Sequence, residues 1–283
     1  MKENEKKQGR GPVFYLILLL LLGVFSFSAW KVGSYVLDAM EQKRKYDQLA
    51  QMVAQVQSTR PTAPALTETT PATQPPEETE SPTEPSLPVL PEYEELLSLN
   101  PDLVGWVKVP LTAISYPVMQ TPDSPQYYLY RNFYREASDR GCIFAQEECD
   151  IAAPSDNVTI YGHCMKDGSM FAGLANYTYK SYWKDHQTIQ FDSLYEARTY
   201  RVFAVFKTSG TAGEGFAYHT FVNAASPAEF TSFVSQCKEL AFYDTGITPE
   251  YGDKLLCLST CEYTMANGRL VVACVLETEE LTE

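Results

Sequence analysis

The sequence is short of the features that mark several common classes of protein. It has only three histidines and no Cys-x-x-Cys pair, and such pairs usually anchor the four-ligand structural zinc sites. Its seven cysteines are an odd number, so at least one thiol has no partner within the chain. Their spacing fits no small disulfide scaffold. These absences argue against a zinc-stabilised domain and against a disulfide-stapled one.

Basic residues are also scarce in the part of the chain with a folded pattern. The formal net charge is −14, and residues 92–283 carry 13 Lys and Arg against 26 Asp and Glu. Residues 1–91 are nearly balanced, with nine against ten. A phosphate-binding surface needs clustered cations, so this charge balance argues against nucleic acid as a partner. The acidic balance suits a secreted domain that meets amine-bearing partners.

One long run without charge stands near the N-terminus. Val13 to Trp30 gives 18 uncharged residues, which is the short end of a bilayer span and longer than a usual signal-peptide core. We therefore predict an uncleaved signal anchor over 13–30, preceded by a cytoplasmic N-terminus over 1–12. The basic N-terminus favours this orientation, although Lys31 and the cluster at 43–45 reduce the charge difference across the span.

Two segments separate the anchor from the folded region. Residues 31–57 contain no proline and predict a juxtamembrane helix, whose weak heptad seam leaves self-association as a minor hypothesis. Residues 58–91 hold nine prolines among Ser, Thr and Glu, a composition typical of a disordered linker. At about 3 Å per residue, such a spacer reaches up to roughly 100 Å from the membrane.

From residue 92 the pattern is that of a mainly β domain. A short helix is predicted over Glu92–Leu99, and short strands punctuated by Gly, Pro, Asn and Asp indicate a barrel or a sandwich. A helix over 227–243 interrupts the strands, with Pro at its start and Gly246 beyond its end. The predicted strands are Gly105–Val109, Ile114–Met119, Cys142–Ala145, Val158–Tyr161, Thr188–Phe191, Thr199–Lys207 and a final hairpin over Lys254–Leu276.

The final hairpin carries the first candidate site. Asn267-Gly268 lies in the turn, Cys261 ends the first strand, and Arg269 opens the second. Paired strand ends place Cβ atoms about 5 Å apart. A cation beside a cysteine favours the nucleophilic thiolate, or it stabilises an oxyanion on a substrate carbonyl. The alternative is that Arg269 pairs with Glu262 and only positions the loop.

His163 is the candidate base. It follows the strand NVTIYG directly after a glycine, whereas His186 and His219 lie in predicted loops. A lone histidine is more often structural, but a cysteine and an arginine at nearby strand ends favour a Cys-His pair. The neighbouring thiol of Cys164 raises a zinc alternative, which the lack of a Cys-x-x-Cys pair disfavours.

Four stretches of the chain resemble the class B sortases, membrane-anchored cysteine transpeptidases of Gram-positive bacteria. The resemblance covers about residues 92–277, and the helix before the cysteine strand favours class B over class A. The four stretches are NPDLVGWVKVP (100–110), YPVMQTPDSPQYYL (116–129), VTIYGHCMKDGSMFAGL (158–174) and LSTCEYTMANGRLVV (258–272).

The resemblance implies a sortase-like eight-stranded β-barrel over 92–283, with an N-terminal helix and a helix inserted before the cysteine strand. It implies Cys261 as nucleophile, His163 as acid/base and Arg269 as transition-state stabiliser, with no metal and no cofactor. Cys164 stands where the family commonly has Asn, which puts a second thiol at the edge of the site. The predicted substrate groove uses Ser259, Thr260 and Glu262.

The implied reaction is cleavage of a C-terminal sorting signal of the Leu-Pro-x-Thr-Gly or Asn-Pro-x-Thr type at the Thr carbonyl. A thioacyl-enzyme would then be resolved by a peptidoglycan cross-bridge or precursor amine, or by a pilin lysine. The partners would be secreted proteins that bear the signal, met on the extracellular side of the cell membrane. A hydrolysing cysteine peptidase and a non-catalytic surface binding module are the two alternatives.

The remaining cysteines have structural interpretations. Cys257 and Cys274 lie within the hairpin strands and are predicted to be core thiols. Cys142, Cys149 and Cys237 are also predicted to be structural. A disulfide between Cys142 and Cys149 is left open.

Overall fold

The computed structural model describes residues 11–59 and 87–278, in two compact units that meet in sequence between Gln48 and Leu49. Helix α1 (Pro12–Thr59) runs without a break through the predicted anchor and juxtamembrane segments. Its apolar part has a mean hydropathy of 2.3, long and apolar enough to cross a membrane. Residues 1–10 and 60–86, which hold most of the predicted N-terminus and linker, lie outside the described residues.

The second unit is a closed barrel of eight strands, which confirms the predicted fold class. Around the barrel the order is β1-β2-β3-β4-β7-β8-β6-β5. The strands are β1 (Leu103–Lys108), β2 (Ser115–Met119), β3 (Ile143–Ala145), β4 (Asn157–Gly162), β5 (Thr188–Ser193), β6 (Thr199–Ser209), β7 (Leu255–Glu262) and β8 (Gly268–Leu276).

The described residues form three further α-helices around the barrel. Helix α2 (Pro91–Leu99) confirms the short helix predicted before β1, and α4 (Pro227–Leu240) confirms the helix inserted between β6 and β7. Helix α3 (Lys180–Asp185) was not predicted, because six residues are too few to show a helical period. Helix α4 ends three residues earlier than predicted, and Ala241 caps it in an extended conformation.

Helix α4 explains why the strands beneath it are apolar on both faces. Its N-terminus is capped by the Ser226 side chain, and Pro227 occupies the first turn. Its buried stripe packs on β6, β7 and β8 in one hydrophobic cluster. Residues on both faces of these strands are therefore buried, which produces the continuous apolar runs. The stripe consists of Phe230, Phe233, Val234 and Cys237.

Two neighbouring strand pairs bring distant segments together at one edge of the barrel. Strand β4 runs parallel to β7, and β7 runs antiparallel to β8 through the predicted hairpin. The carboxyl ends of β4 and β7 and the amino end of β8 therefore meet at the same edge. The loop that follows Gly162 and the β7–β8 loop that ends at Gly268 both lie at this edge.

Candidate active site

Cys261 and Arg269 face each other across the hairpin, as the sequence predicts. The two residues are Cα partners in the β7–β8 ladder, one position from the turn. Directly opposed residues of an antiparallel pair point to the same face of the sheet, with Cβ atoms about 5 Å apart. Both side chains are half-buried and border the same cavity. The pairing places a cation beside the candidate nucleophile.

Strand β4 delivers His163 to the same edge. Gly162, the last residue of β4, pairs with Thr260, and the Thr260 hydroxyl donates to the Gly162 carbonyl at 2.7 Å. The register of β4 against β7 therefore places His163, the first residue after β4, beside Cys261. Gly162 is needed here, because a Cβ at this position would lie 2.7 Å from the Phe171 ring.

The imidazole of His163 is held by a backbone carbonyl. Its Nε2 lies 2.8 Å from the oxygen of Leu129. A carbonyl only accepts hydrogen bonds, so Nε2 carries the proton and neutral His163 keeps its lone pair on Nδ1. The Tyr130 ring lies beside the imidazole, with 5.8 Å between the ring centroids. These contacts fix both the orientation and the tautomer of the candidate base.

A cavity of about 340 Å³ brings the three predicted catalytic residues together. We call it the Cys261 cavity. Sequence reasoning missed much of its wall, including the loop after β3 and the 3₁₀ helix Tyr127–Tyr130. The other lining residues are Pro125, Gln126, Leu129, Phe144, Gln146, Glu147, Glu148, Tyr161, Gly162, His219, Ser259 and Thr260.

Ser259 and Thr260, two of the predicted groove residues, line this cavity but are almost fully buried. The Ser259 hydroxyl shares a hydrogen bond with the Tyr218 hydroxyl at 2.5 Å. The Thr260 hydroxyl is engaged by the Gly162 carbonyl. Both hydroxyls therefore hold the walls of the cavity in place.

Glu262, the third predicted groove residue, lies outside the lining of the Cys261 cavity. Its carboxylate accepts from Lys207 Nζ at 2.9 Å and from the Thr264 amide at 3.0 Å. Burial opposes ionisation, but these hydrogen bonds outweigh it and lower the pKa of Glu262 below its ordinary value. The structure thus places this carboxylate at the base of the β7–β8 loop, away from the cavity.

Arg269 does not form the alternative pair with Glu262. Among the described residues, no carboxylate lies within 4 Å of its guanidinium. Its Nη1 donates to the Asn267 carbonyl at 3.2 Å, the Asn267 side-chain oxygen at 3.1 Å and the Gly268 carbonyl at 3.0 Å. The loop between the two strands therefore holds the guanidinium through neutral oxygens and leaves its charge uncompensated.

All seven cysteines are free thiols. The disulfide left open between Cys142 and Cys149 is not formed, because the two buried sulfurs point to different carbonyls, those of Pro117 and Asn157. Cys257 and Cys274 are buried, as predicted for core thiols, and Cys237, which was predicted to be structural, is buried as well.

Cys164 lies at the edge of the site. The Tyr263 hydroxyl donates to the Cys164 carbonyl at 3.2 Å, which joins the loop after His163 to the hairpin loop. Burial raises the pKa of the Cys164 thiol, and nearby Cys261 and Glu262 add to the rise. In the described part of the chain, no cluster of three or more His, Cys, Asp or Glu side chains is arranged to hold a metal.

Known proteins that resemble this chain in sequence belong to one family. A family model described as the sortase domain matches residues 107–277. Sortase B of Listeria monocytogenes is 30% identical over 258 residues, which cover 90% of this chain and 93% of that protein. Sortase B of Staphylococcus aureus is 31% identical over 183 residues, covering 64% and 72%.

The solved structures agree with the sequence relatives. Sortase B of Bacillus anthracis, solved in complex with AAEK1, aligns with a TM-score of 0.66 at 29% identity, covering 86% of this chain and 99% of that one. A Staphylococcus aureus sortase B–substrate complex shares the fold, with a TM-score of 0.70 at 24% identity. It covers 86% of this chain and 99% of that one.

The chain belongs to the sortase family, a family of cysteine transpeptidases, and its closed barrel with a cysteine at one edge agrees with that membership. Within that family its relatives and structural neighbours are class B members, and it carries the helix before the cysteine strand. The chain is thus a class B sortase, a transpeptidase of the cell-wall sorting kind. Its apolar N-terminal helix fits a membrane anchor.

Proposed function

We propose that this sortase cleaves a C-terminal sorting signal of the Leu-Pro-x-Thr-Gly or Asn-Pro-x-Thr type at the Thr carbonyl and transfers the acyl part to an amine. The observation that carries the proposal is the meeting of Cys261, His163 and Arg269 on one cavity at the barrel edge. Nucleophile, base and oxyanion cation are all side chains, so the reaction needs no cofactor.

In the first half-reaction, Cys261 gives its proton to Nδ1 of His163, the nitrogen that the Leu129 contact leaves unprotonated. The sulfur then attacks the Thr carbonyl carbon and forms the C–S bond. Collapse of the tetrahedral intermediate breaks the C–N bond, and His163 returns the proton to the departing amine. The product is a thioacyl-enzyme.

Arg269 stabilises the anionic oxygen of the tetrahedral intermediate. The hydrogen bonds that the structure gives its guanidinium all use Nη1, so the N–H groups of Nη2 and Nε are left for the oxyanion. A cation held by neutral oxygens keeps its full charge for the transition state. An arginine is suited to this role because it stays protonated at any working pH.

In the second half-reaction, an amine replaces the departing group. The acceptor is a peptidoglycan cross-bridge or precursor amine, or a pilin lysine. The donors are secreted proteins with the sorting signal.

Helix α1 anchors the enzyme, with residues 92–283 on the extracellular side facing the cell wall and residues 58–91 as a spacer. Ser259 and Thr260 shape the floor of the substrate cavity through their hydrogen bonds.

The test uses the full-length protein in detergent micelles and quenched peptides with either core, with and without an amine, followed by mass spectrometry. Amine-dependent ligation that is lost in Cys261→Ala supports the proposal. Release of free acid that added amine never diverts would make the protein a peptidase. Absence of any cleavage, with Cys261 inert to alkylation, would leave a surface binding module on a sortase fold.

A further inference from the structure

The second half-reaction requires a place for the acceptor beside His163. The attacking amine must lose a proton, and His163 is the base that takes it in the proposed function, on which this inference rests. The acceptor therefore approaches from the side of the imidazole. A groove on that side of the site would determine which amines the enzyme uses.

Such a groove opens along the 3₁₀ helix Tyr127–Tyr130. It shares Pro125, Gln126 and Glu147 with the Cys261 cavity, so the two spaces adjoin each other. Tyr130, 61% exposed, forms part of its wall, and its ring centroid lies 5.8 Å from that of His163. We call this space the Tyr130 groove. The Tyr130 groove thus lies next to the candidate base, with the Tyr130 ring between them.

The Tyr130 groove carries one cation and one anion. Arg131 is exposed, and its guanidinium carbon lies 4.7 Å from the centre of the Tyr127 ring. Glu147 is half-buried on the facing loop after β3. Within residues 11–59 and 87–278, neither side chain takes part in an ion pair. By contrast, nearby Arg135 is bound to Asp102 at 2.9 Å.

The positions of the two charges give a ligand its direction. Glu147 borders both the Tyr130 groove and the Cys261 cavity, whereas Arg131 borders only the outer groove. An ammonium group is therefore drawn inward toward Cys261, and a carboxylate is held outward. A guanidinium binds a carboxylate through a pair of parallel hydrogen bonds, which makes Arg131 a selective contact.

We infer that the Tyr130 groove is the acceptor subsite, and that it selects an amine whose molecule carries a carboxylate close by, as at the amino acid end of a peptide stem. Arg131 binds the carboxylate and Glu147 guides the ammonium. The ammonium first releases one proton to solvent, and the neutral amine attacks the thioacyl carbon while His163 takes a second proton from its nitrogen. A C–N bond forms, the C–S bond breaks, and the proton held by His163 passes to the sulfur of Cys261.

Two amines test the selection directly. 2,6-Diaminopimelate and 1,5-diaminopentane share the five-carbon spacing of their amines, and only the first carries carboxylates. A protein of net charge −14 attracts the dicationic diaminopentane more strongly through its overall field, so a preference for diaminopimelate must arise from local contacts. One charge-assisted hydrogen-bonded contact corresponds to about a tenfold difference in the acceptor KM.

The experiment measures acceptor KM for ligation to a cleaved sorting peptide, with the full-length protein in detergent micelles. We expect the wild type to show a KM about tenfold lower for diaminopimelate than for diaminopentane. Arg131→Gln should abolish the difference by raising the diaminopimelate KM alone, and Glu147→Gln should raise both values. Lys166→Gln, which removes an exposed cation from the loop after His163, should keep the wild-type preference.

Calorimetric titration of Cys261→Ala protein with diaminopimelate tests the groove without any chemistry. If diaminopimelate binds the Cys261→Ala protein but not the double variant that also carries Arg131→Gln, the inference is supported even if the peptide donor is wrong. Equal KM values for the two amines in the wild type would overturn the inference and leave the transpeptidase intact. The inference would also be overturned if Arg131→Gln changed only the rate of donor cleavage measured without amine, because the groove would then hold the departing peptide. Failure to cleave any donor would refute the proposed function instead.

Discussion

Replacing Asn267 with glycine should slow peptide cleavage without unfolding the protein. The substitution removes the side-chain oxygen that Arg269 Nη1 binds at 3.1 Å. It keeps the backbone, because Asn267 has φ of +50°, a conformation that glycine adopts freely. One hydrogen bond to a charged group at this exposed position contributes about 1 kcal/mol. If the bond aligns Arg269 with the oxyanion, kcat/KM for donor cleavage should fall about fivefold.

Two further variants distinguish the effect of losing the side-chain oxygen from the effect of backbone strain. Asn267→Ala loses the same oxygen and adds about 1–2 kcal/mol of strain in the left-handed region, so its free energy of unfolding should fall while that of Asn267→Gly changes little. Asn267→Asp keeps an oxygen acceptor but places a carboxylate against the Arg269 guanidinium, so its kcat/KM should also fall because the charge is then partly compensated. The assay is steady-state cleavage of a quenched sorting peptide, with urea denaturation in parallel. Wild-type kcat/KM in Asn267→Gly would refute the positioning of Arg269 by this side chain.

Three other expectations concern stability and thiol exposure. Burial opposes ionisation of Asp156, but the ion pair with Lys254 at 2.8 Å outweighs it and lowers the pKa of Asp156. The pair should therefore stabilise the fold above the ordinary Asp pKa and cease to do so as pH falls through the lowered value. Lys254→Met should make the urea midpoint less dependent on pH in this acid range. Phe230→Ala, on the buried stripe of α4, should lower the free energy of unfolding by about 3–5 kcal/mol in urea denaturation, whereas Gln236→Ala on the exposed face of the same helix should change it little. Alkylation of the folded protein should modify the two thiols that are not buried, and Cys164→Ala should reduce that number to one by mass spectrometry.

The barrel strands could be predicted because their signals are local. The runs in β7 and β8 are continuous and apolar, since α4 covers one side and the barrel core lies on the other. The Asn267-Gly268 turn then sets the register that opposes Cys261 to Arg269. Seven of the strand positions follow from such runs and turns within about two residues of their predicted ends, and the eighth is the second arm of the hairpin.

The site was predictable only where a strand end positions the side chain. His163 meets Cys261 through a parallel pairing of β4 with β7, which joins positions 98 residues apart and leaves no periodic trace in the sequence. The Leu129 contact uses a backbone oxygen, which any residue type supplies. The resemblance predicts Glu262 in the substrate groove, and in the structure its ion-pair partner is Lys207 on β6, beyond β8. The reactive residue types at the strand ends could be identified from the sequence, whereas the pairing of strands that are distant in sequence could not.

The most direct test of the account is the trapping of an acyl-enzyme on Cys261. Full-length protein is mixed with a sorting-signal peptide, quenched in acid within one turnover, digested, and analysed by mass spectrometry. We expect the peptide containing Cys261 to gain the mass of the donor fragment ending at Thr. Added amine should remove this adduct as the ligated product forms, and Arg269→Lys should slow its formation. Cleavage that proceeds in Cys261→Ser at the wild-type rate, or an adduct found on Cys164 and never on Cys261, would contradict this expectation.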